Sequence, residues 1–223
     1  MTRRSATTPE EHLRRADPVL ATVMDEVVRD GRGVGPALSP DPKRPPDPNM
    51  PTDDYGVLVR AIVSQNISES ASQSIWRKLI ERFDGRPPTP EEILDIDPDD
   101  LREAAGLSRA KTVSFRSLAD CILTQQLQLD RLHELSDEEV IAQLSLVKGI
   151  GTWTAEIFLI FHLQRPDVLP VGDLGLRRAI ERAYDLDGPP RPPELERIAE
   201  PWRPYRTLAC IYLWRTVEAT PQA

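Results

Sequence analysis

Cysteine is scarce. Only Cys121 and Cys210 occur in 223 residues, both in apolar helical settings. They read as buried free thiols, which fits a reducing cytoplasm, and two thiols are too few for an all-cysteine zinc or iron–sulfur site. No apolar run is long enough to span a bilayer. Met1-Thr-Arg-Arg-Ser5 has no apolar core behind it, so no signal peptide is expected. Low-complexity tracts and solenoid repeats are absent, and no stretch alternates at period two, so a sheet is not expected. Positive charge is also short: 28 Lys and Arg stand against 36 Asp and Glu, a formal net charge of -8. That balance weighs against a nucleic-acid binder. It does not forbid one, because backbone amides hold anions without formal charge and a local basic face survives an acidic total. The acidic residues cluster in Glu91–Asp100 and Asp185–Glu200. Any binding to a polyanion is therefore expected to be modest and salt-sensitive.

What the chain has is helical periodicity. Met1 to about Arg14 is polar and reads as frayed. Asp17 to Val28 reads as a first helix, with Val19, Leu20, Val23 and Val27 on one face. Gly31 to Pro51, rich in Pro, Gly and Asp, reads as a long irregular connection. From Asp53 to Phe83, Tyr55, Leu58, Val59, Ile62 and Val63 lead into Ser64-Gln-Asn-Ile-Ser68, and Ala71, Ile75, Trp76, Leu79 and Ile80 continue a second helix. Ser68 or Ser70 is a candidate cap after the break near Asn66. Pro87 to Asp99 reads as a loop with a short acidic helix. Gly106-Leu-Ser-Arg-Ala-Lys111 opens another helix, where Arg109 and Lys111 are either phosphate contacts or, more commonly, solvated charges. Asp130 to Glu134 reads as a short linker. The last helix starts at Thr207, after a Pro/Gly loop over Asp185–Pro193.

The chemistry concentrates further on. Ser136-Asp-Glu-Glu139 has the spacing of a capping box and opens a helix. Leu146-Val-Lys-Gly-Ile-Gly-Thr-Trp-Thr-Ala155 then makes a tight turn, and Thr152 is placed to cap a second helix whose face carries Ala155, Phe158, Leu159 and His162. Without side chains at Gly149 and Gly151, a phosphate is able to approach backbone N–H groups at the positive end of that helix. Next comes Arg165-Pro-Asp-Val-Leu-Pro-Val-Gly-Asp-Leu-Gly-Leu-Arg-Arg-Ala-Ile180, a Pro/Gly loop ending at Asp173 before a new helix. Asp173 is read in two ways, as a capping residue contributing ~1 kcal/mol and as a carboxylate held at the mouth of a cleft beside the hairpin.

Hairpin, Gly/Pro loop and aspartate together resemble the helix-hairpin-helix DNA glycosylases, most of all the 3-methyladenine DNA glycosylase II group. The resemblance covers about Asp53 to Glu218 and is strongest from Val147 to Ile180. It implies an all-α fold of two helical lobes flanking a cleft, in a compact form without an N-terminal sheet domain. The expected division is 1–51, a helix and linker packing with the C-terminal lobe; 52–135, a helical lobe with an intercalating loop; and 136–223, the hairpin lobe with the aspartate. It further implies a monofunctional enzyme releasing 3-methyladenine or 7-methylguanine from duplex DNA. Other implied readings are a glycosylase for uracil, hypoxanthine or mismatched thymine, and a non-catalytic DNA-binding module.

By the same resemblance each site residue takes a role. Asp173 stabilises the charged sugar. Trp153 and Trp214 form a base-stacking pocket, left more open by Ile157, where some relatives carry an aromatic; Trp202 reads as core. Gln65 and Asn66 are the intercalating pair, with Ile67 as an alternative apolar plug because Asn66 is polar. Gly149, Gly151 and Thr154 form the phosphate-binding hairpin. The backbone carbonyls of Ser145, Val147 and Ile150 are expected to hold a monovalent cation, Na+ or K+. No iron–sulfur cluster and no required cofactor are expected. Bifunctional relatives place a lysine where Trp153 stands, and Lys148 precedes the hairpin. The implied partner is damaged double-stranded DNA, with no membrane, and the chain is expected to act as a monomer at the nucleoid or in a nucleus.

Overall fold

A computed structural model of the chain describes residues 7–31 and 50–218, and all regular structure among them is helical. No helix among these residues is long and apolar enough to cross a membrane. Most of the expected connection from Gly31 to Pro51 lies outside the described residues. By contacts the chain divides into two compact units, Met1–Pro45 with Leu159–Ala223, and Pro46–Phe158.

The Pro46–Phe158 unit contains α3 (Asp54–Ser64), α4 (Glu69–Arg82), α5 (Pro90–Asp95), α6 (Pro98–Ala105), α7 (Arg109–Leu123), a 3-10 turn over Leu129–Glu134, α8 (Asp137–Leu144) and most of α9 (Thr152–Phe161). The helix starts are written in the sequence. Asp53, Ser68, Thr89, Asp97, Ser108 and Ser136 each accept a first-turn backbone N–H, which satisfies donors the helix itself leaves open. Gly106, left-handed at φ 72°, ends α6, a conformation costly for other residues. Leu58, Val59, Ile62, Val63, Trp76, Leu79, Phe115 and Leu118 are buried in this unit. The acidic stretch after Pro87 forms two short helices, α5 and α6, where one was expected. The linker at Asp130–Glu134 is a 3-10 turn with Leu132 buried.

The other unit is built from α1 (Pro9–Ala16), α2 (Pro18–Arg29), α10 (Leu174–Ala183), α11 (Pro192–Ala199), a 3-10 turn over Glu200–Trp202 and α12 (Arg206–Glu218). Two expectations are corrected. The segment before Arg14 is not frayed from Thr8 onward. Thr8 and Glu11 form a reciprocal capping box, Pro9 opens the helix, and Leu13 is fully buried. A single buried residue in eight gives no period to read, so the cap and Pro9 were the local signals. The unit boundary also falls inside α9, between Phe158 and Leu159, and not at residue 135. The hairpin packs by its contacts with the helices that precede it, which chain order does not reveal.

Asp17 organises the N-terminal helices. Its Oδ1 accepts from the Val19 and Leu20 amides at 2.9 and 3.1 Å, while its Oδ2 accepts from Trp202 Nε1 at 2.8 Å and from the Tyr184 hydroxyl. Burial, and then the Asp17 carboxylate, raise the Tyr184 phenol above its ordinary value. Trp202 is fully buried in the core of this unit. Asp17→Ala strands the buried Trp202 donor and the half-buried Tyr184 hydroxyl and removes a cap, so it is expected to lower unfolding stability by about 3 kcal/mol, measured by urea denaturation.

Candidate active site

The hairpin is made by backbone closure and by one forced glycine. α8 ends with the Val147 amide donating to the Leu144 carbonyl at 3.1 Å, and the Ile150 amide closes the turn on the Val147 carbonyl at 3.0 Å. Gly149 has φ 88°, and a Cβ there would lie 2.1 Å from Ser114 Oγ. Conformation and contact both exclude a side chain. Gly151 differs: a Cβ there would meet nothing within 4 Å, so the fold does not require glycine, and the open space is what an approaching phosphate needs. Thr152 is not the cap of α9. It is the first helical residue, and the Gly151 carbonyl accepts from the Ala155 amide at 3.1 Å. The amides of Thr152 and its successors thus form a first turn that has no intrahelical acceptors.

Helix α7 holds this turn through one polar stripe at Lys111, Ser114 and Ser117, spaced three apart and therefore on one face. Ser117 Oγ accepts from the Lys148 amide at 2.9 Å. Ser114 packs under Gly149. Lys111 is neither a phosphate contact nor a solvated charge. It is buried, and its Nζ donates at 2.6 Å to the Val63 carbonyl at the end of α3. Burial first, and then the Arg60 guanidinium, push its ammonium below the ordinary value. Arg109 remains exposed. Arg60, also buried, reaches Ser72 of α4 and lies 3.6 Å from Glu69 Oε1. The loop 65–68 is thus braced by a buried cation on either side.

Within that loop Gln65 is engaged with the hairpin. Its Nε2 donates to the Gly149 carbonyl at 2.9 Å and to Thr154 Oγ1 at 3.2 Å, tying loop to hairpin. The Thr154 side chain, expected at the phosphate, is buried in this contact; its amide still belongs to the first turn of α9. Asn66 is exposed with φ 55°, and Ile67 is 37% exposed, so these two protrude. A cavity of about 300 Å³ is lined by Ala61, Ser64, Gln65, Asn66, Gly149, Trp153, Thr154 and Ile157. It joins residues expected in three different roles, with Trp153 45% exposed. Sequence reasoning missed Ser114, Ser117 and the buried role of Lys111. The signal for them was the spacing of Lys111, Ser114 and Ser117, a polar residue at every third position of α7.

The other unit holds the carboxylate. Asp173 caps α10, its Oδ1 accepting from the Leu176 amide and from Trp214 Nε1, the latter at 2.9 Å. Trp214 is half-buried and stacks on Phe161 at 5.9 Å and 29°, so its indole nitrogen serves the aspartate. A Cβ at Gly175 would press on Asp173 Oδ1 at 3.2 Å. The loop leading to Asp173 is pinned to the start of α12. Thr207 Oγ1 donates to the Arg165 carbonyl and accepts from the Val168 amide, at 2.7 and 3.0 Å. Asp167 accepts from Arg203 and from Arg206, at 2.6 and 2.8 Å. Thr207 and Trp214 lie two turns apart on one face of α12, so a single helix sets both the loop and the carboxylate.

A glycine hairpin with a cavity beside Trp153 in one unit, and an aspartate capping a helix in the other, are features of a base-excision protein. Residues 59–204 match the HhH-GPD superfamily of base excision DNA repair proteins, and the chain belongs to it. It is 32% identical to the alkylbase DNA glycosidase-like protein mag2 of Schizosaccharomyces pombe, over 92% of this chain and 94% of that one. It is 37% identical to DNA-3-methyladenine glycosylase 1 of the same yeast, over 73% and 72%. Among solved structures, the yeast 3-methyladenine DNA glycosylase Mag1 in complex with abasic DNA superposes with a TM-score of 0.78 at 31% identity, covering 96% of this chain and 98% of that one.

Gly149→Ala is expected to destabilise the hairpin and weaken DNA binding. Adding Ser114→Ala removes the closest clash but not the positive φ. The double variant should therefore recover only part of the lost melting temperature, read by thermal denaturation beside a DNA-binding titration.

Proposed function

We infer that the chain is a monofunctional DNA glycosylase of base excision repair, hydrolysing the N-glycosidic bond of alkylated purines flipped out of duplex DNA. The observation that carries this reading is Asp173, whose Oδ1 is fixed by two N–H donors at the start of α10. The bond is inaccessible inside the base stack, so the nucleotide must be extruded. Breaking it sends the bonding electrons to the base and leaves positive charge on the sugar. A preorganised carboxylate stabilises that charge and orients the water that adds at C1′. An N-methylated purine already leaves readily, so a second carboxylate acting as general acid is not needed.

The named relatives support alkylated purines as the substrate class. So does the exposed Trp153 face, which attracts a cationic base by ~0.5–2 kcal/mol. The first-turn amides of α9 take the phosphate, while Asn66 and Ile67 fill the vacated stack. A monovalent cation would be held by the backbone carbonyls of Ser145, Val147 and Ile150. Val147 uses one lone pair to accept from Ile150, and a carbonyl oxygen has two. A cation there would add a positive charge for the phosphate. With Trp153 where a Schiff-base lysine would stand, strand cleavage is not part of the reaction.

Asp173→Asn preserves Oδ1 as an acceptor and removes only the charge. Release of 3-methyladenine and 7-methylguanine is expected to fall about 10²–10³-fold, with binding to abasic-site DNA retained. Full activity in this variant overturns the catalytic assignment. No methylpurine release by the wild type overturns the substrate, and nicking without added base or heat overturns the monofunctional reading.

A further inference from the structure

Gln65 is engaged at one end of its amide. Its nitrogen donates to the Gly149 carbonyl at 2.9 Å and to Thr154 Oγ1 at 3.2 Å. A carbonyl oxygen only accepts, so the first contact settles which end of the amide is nitrogen, and the flipped orientation is excluded. Both amide protons are then committed to the hairpin. What remains is Oε1, an acceptor only, and among the described residues no group donates to it. Gln65 is half-buried and lines the 300 Å³ cavity together with Trp153 and Ile157. Elsewhere on that wall, the Ser64 hydroxyl is turned to the Ala61 carbonyl at 2.9 Å. Asn66 is exposed, and its amide is able to turn either end to a ligand, so it imposes no polarity. One fixed acceptor therefore stands beside an aromatic face.

We propose that Gln65 determines specificity, its Oε1 accepting a hydrogen bond from an exocyclic amino group of the extruded purine. This rests on the glycosylase reading above. The 6-amino group of an adenine lesion and the 2-amino group of a guanine lesion are the donors of this class. A base edge that offers only oxygen or unprotonated nitrogen meets a like dipole at Oε1 and gains nothing. The hairpin thereby has two roles. Its first-turn amides take the phosphate, and its Gly149 carbonyl orients the side chain that reads the base.

The test is a two-by-two cycle in single-turnover base release. Wild type and Gln65→Met are each given matched lesions, 7-methylguanine against 7-methylhypoxanthine and 7-methyladenine against 7-methylpurine, in the same duplex. Within each pair the second base lacks only the amino group. Changes in leaving-group chemistry, and any general slowing by the substitution, cancel in the ratio of ratios. Wild type is expected to prefer the amino-bearing base, and Gln65→Met to lose about fivefold to tenfold of that preference in at least one pair, the scale of one hydrogen bond. Unchanged ratios in both pairs overturn the assignment and leave Gln65 as a clamp on the hairpin alone. In a third arm the lesion is kept and guanines at neighbouring pairs are replaced by hypoxanthine, which deletes the one donor in the minor groove. Should only this arm respond to Gln65→Met, the group being read lies in the groove, and the assignment to the extruded base fails. Release of none of the four bases by the wild type overturns the glycosylase reading itself and this inference with it.

Discussion

Gly149 and Ser114 share a space that holds only one side chain. That contact sets the hairpin against α7, and much of the Pro46–Phe158 unit follows from it. A glycine at positive φ lets the backbone drop onto the serine. The drop brings the Lys148 amide to Ser117 and the Gly149 carbonyl to Gln65. The same stripe of α7 carries Lys111, which ends α3 just before the protruding loop. Loop and hairpin are therefore positioned by one rigid element, as the proposed binding of phosphate and base requires.

The carboxylate is held by the same kind of device in the other unit. α12 contributes Thr207 to the preceding loop and Trp214 to Asp173 itself, two turns apart on one face. A cap alone would orient Asp173 through a single amide. The indole adds a second donor on the same oxygen. The glycine at position 175 leaves room for both groups, because a Cβ there would crowd Oδ1 and approach the indole. Trp214 is thus better described by its nitrogen than by its face.

The acidic balance of the chain takes its place in this picture. With a formal net charge of -8, long-range attraction to DNA is weak. The groups proposed for recognition are neutral: first-turn amides, a glycine turn, an indole and a carboxamide. Two of the cations near the loop, Arg60 and Lys111, are buried and occupied with the protein itself. Affinity built this way depends on geometry more than on charge density, which suits an enzyme that must distinguish one damaged base among many intact ones.

Local chemistry was legible without coordinates. The caps at Ser68 and Ser136, the all-helical periodicity, the Gly149 turn and the aspartate heading α10 all follow from interactions within about four residues along the chain. The α1 helix escaped because one buried leucine makes no period. What the amino-acid order did not disclose were contacts between residues far apart in it: Gln65 with Gly149, Lys111 with Val63, Trp214 with Asp173. Each pairs a side chain with several open options, solvated, stacking or intercalating, with one partner whose distance is set only when helices pack. Sequence determines which groups a residue is able to offer; tertiary packing decides which partner takes them, because a hydrogen bond forms only where geometry brings donor and acceptor within about 3 Å.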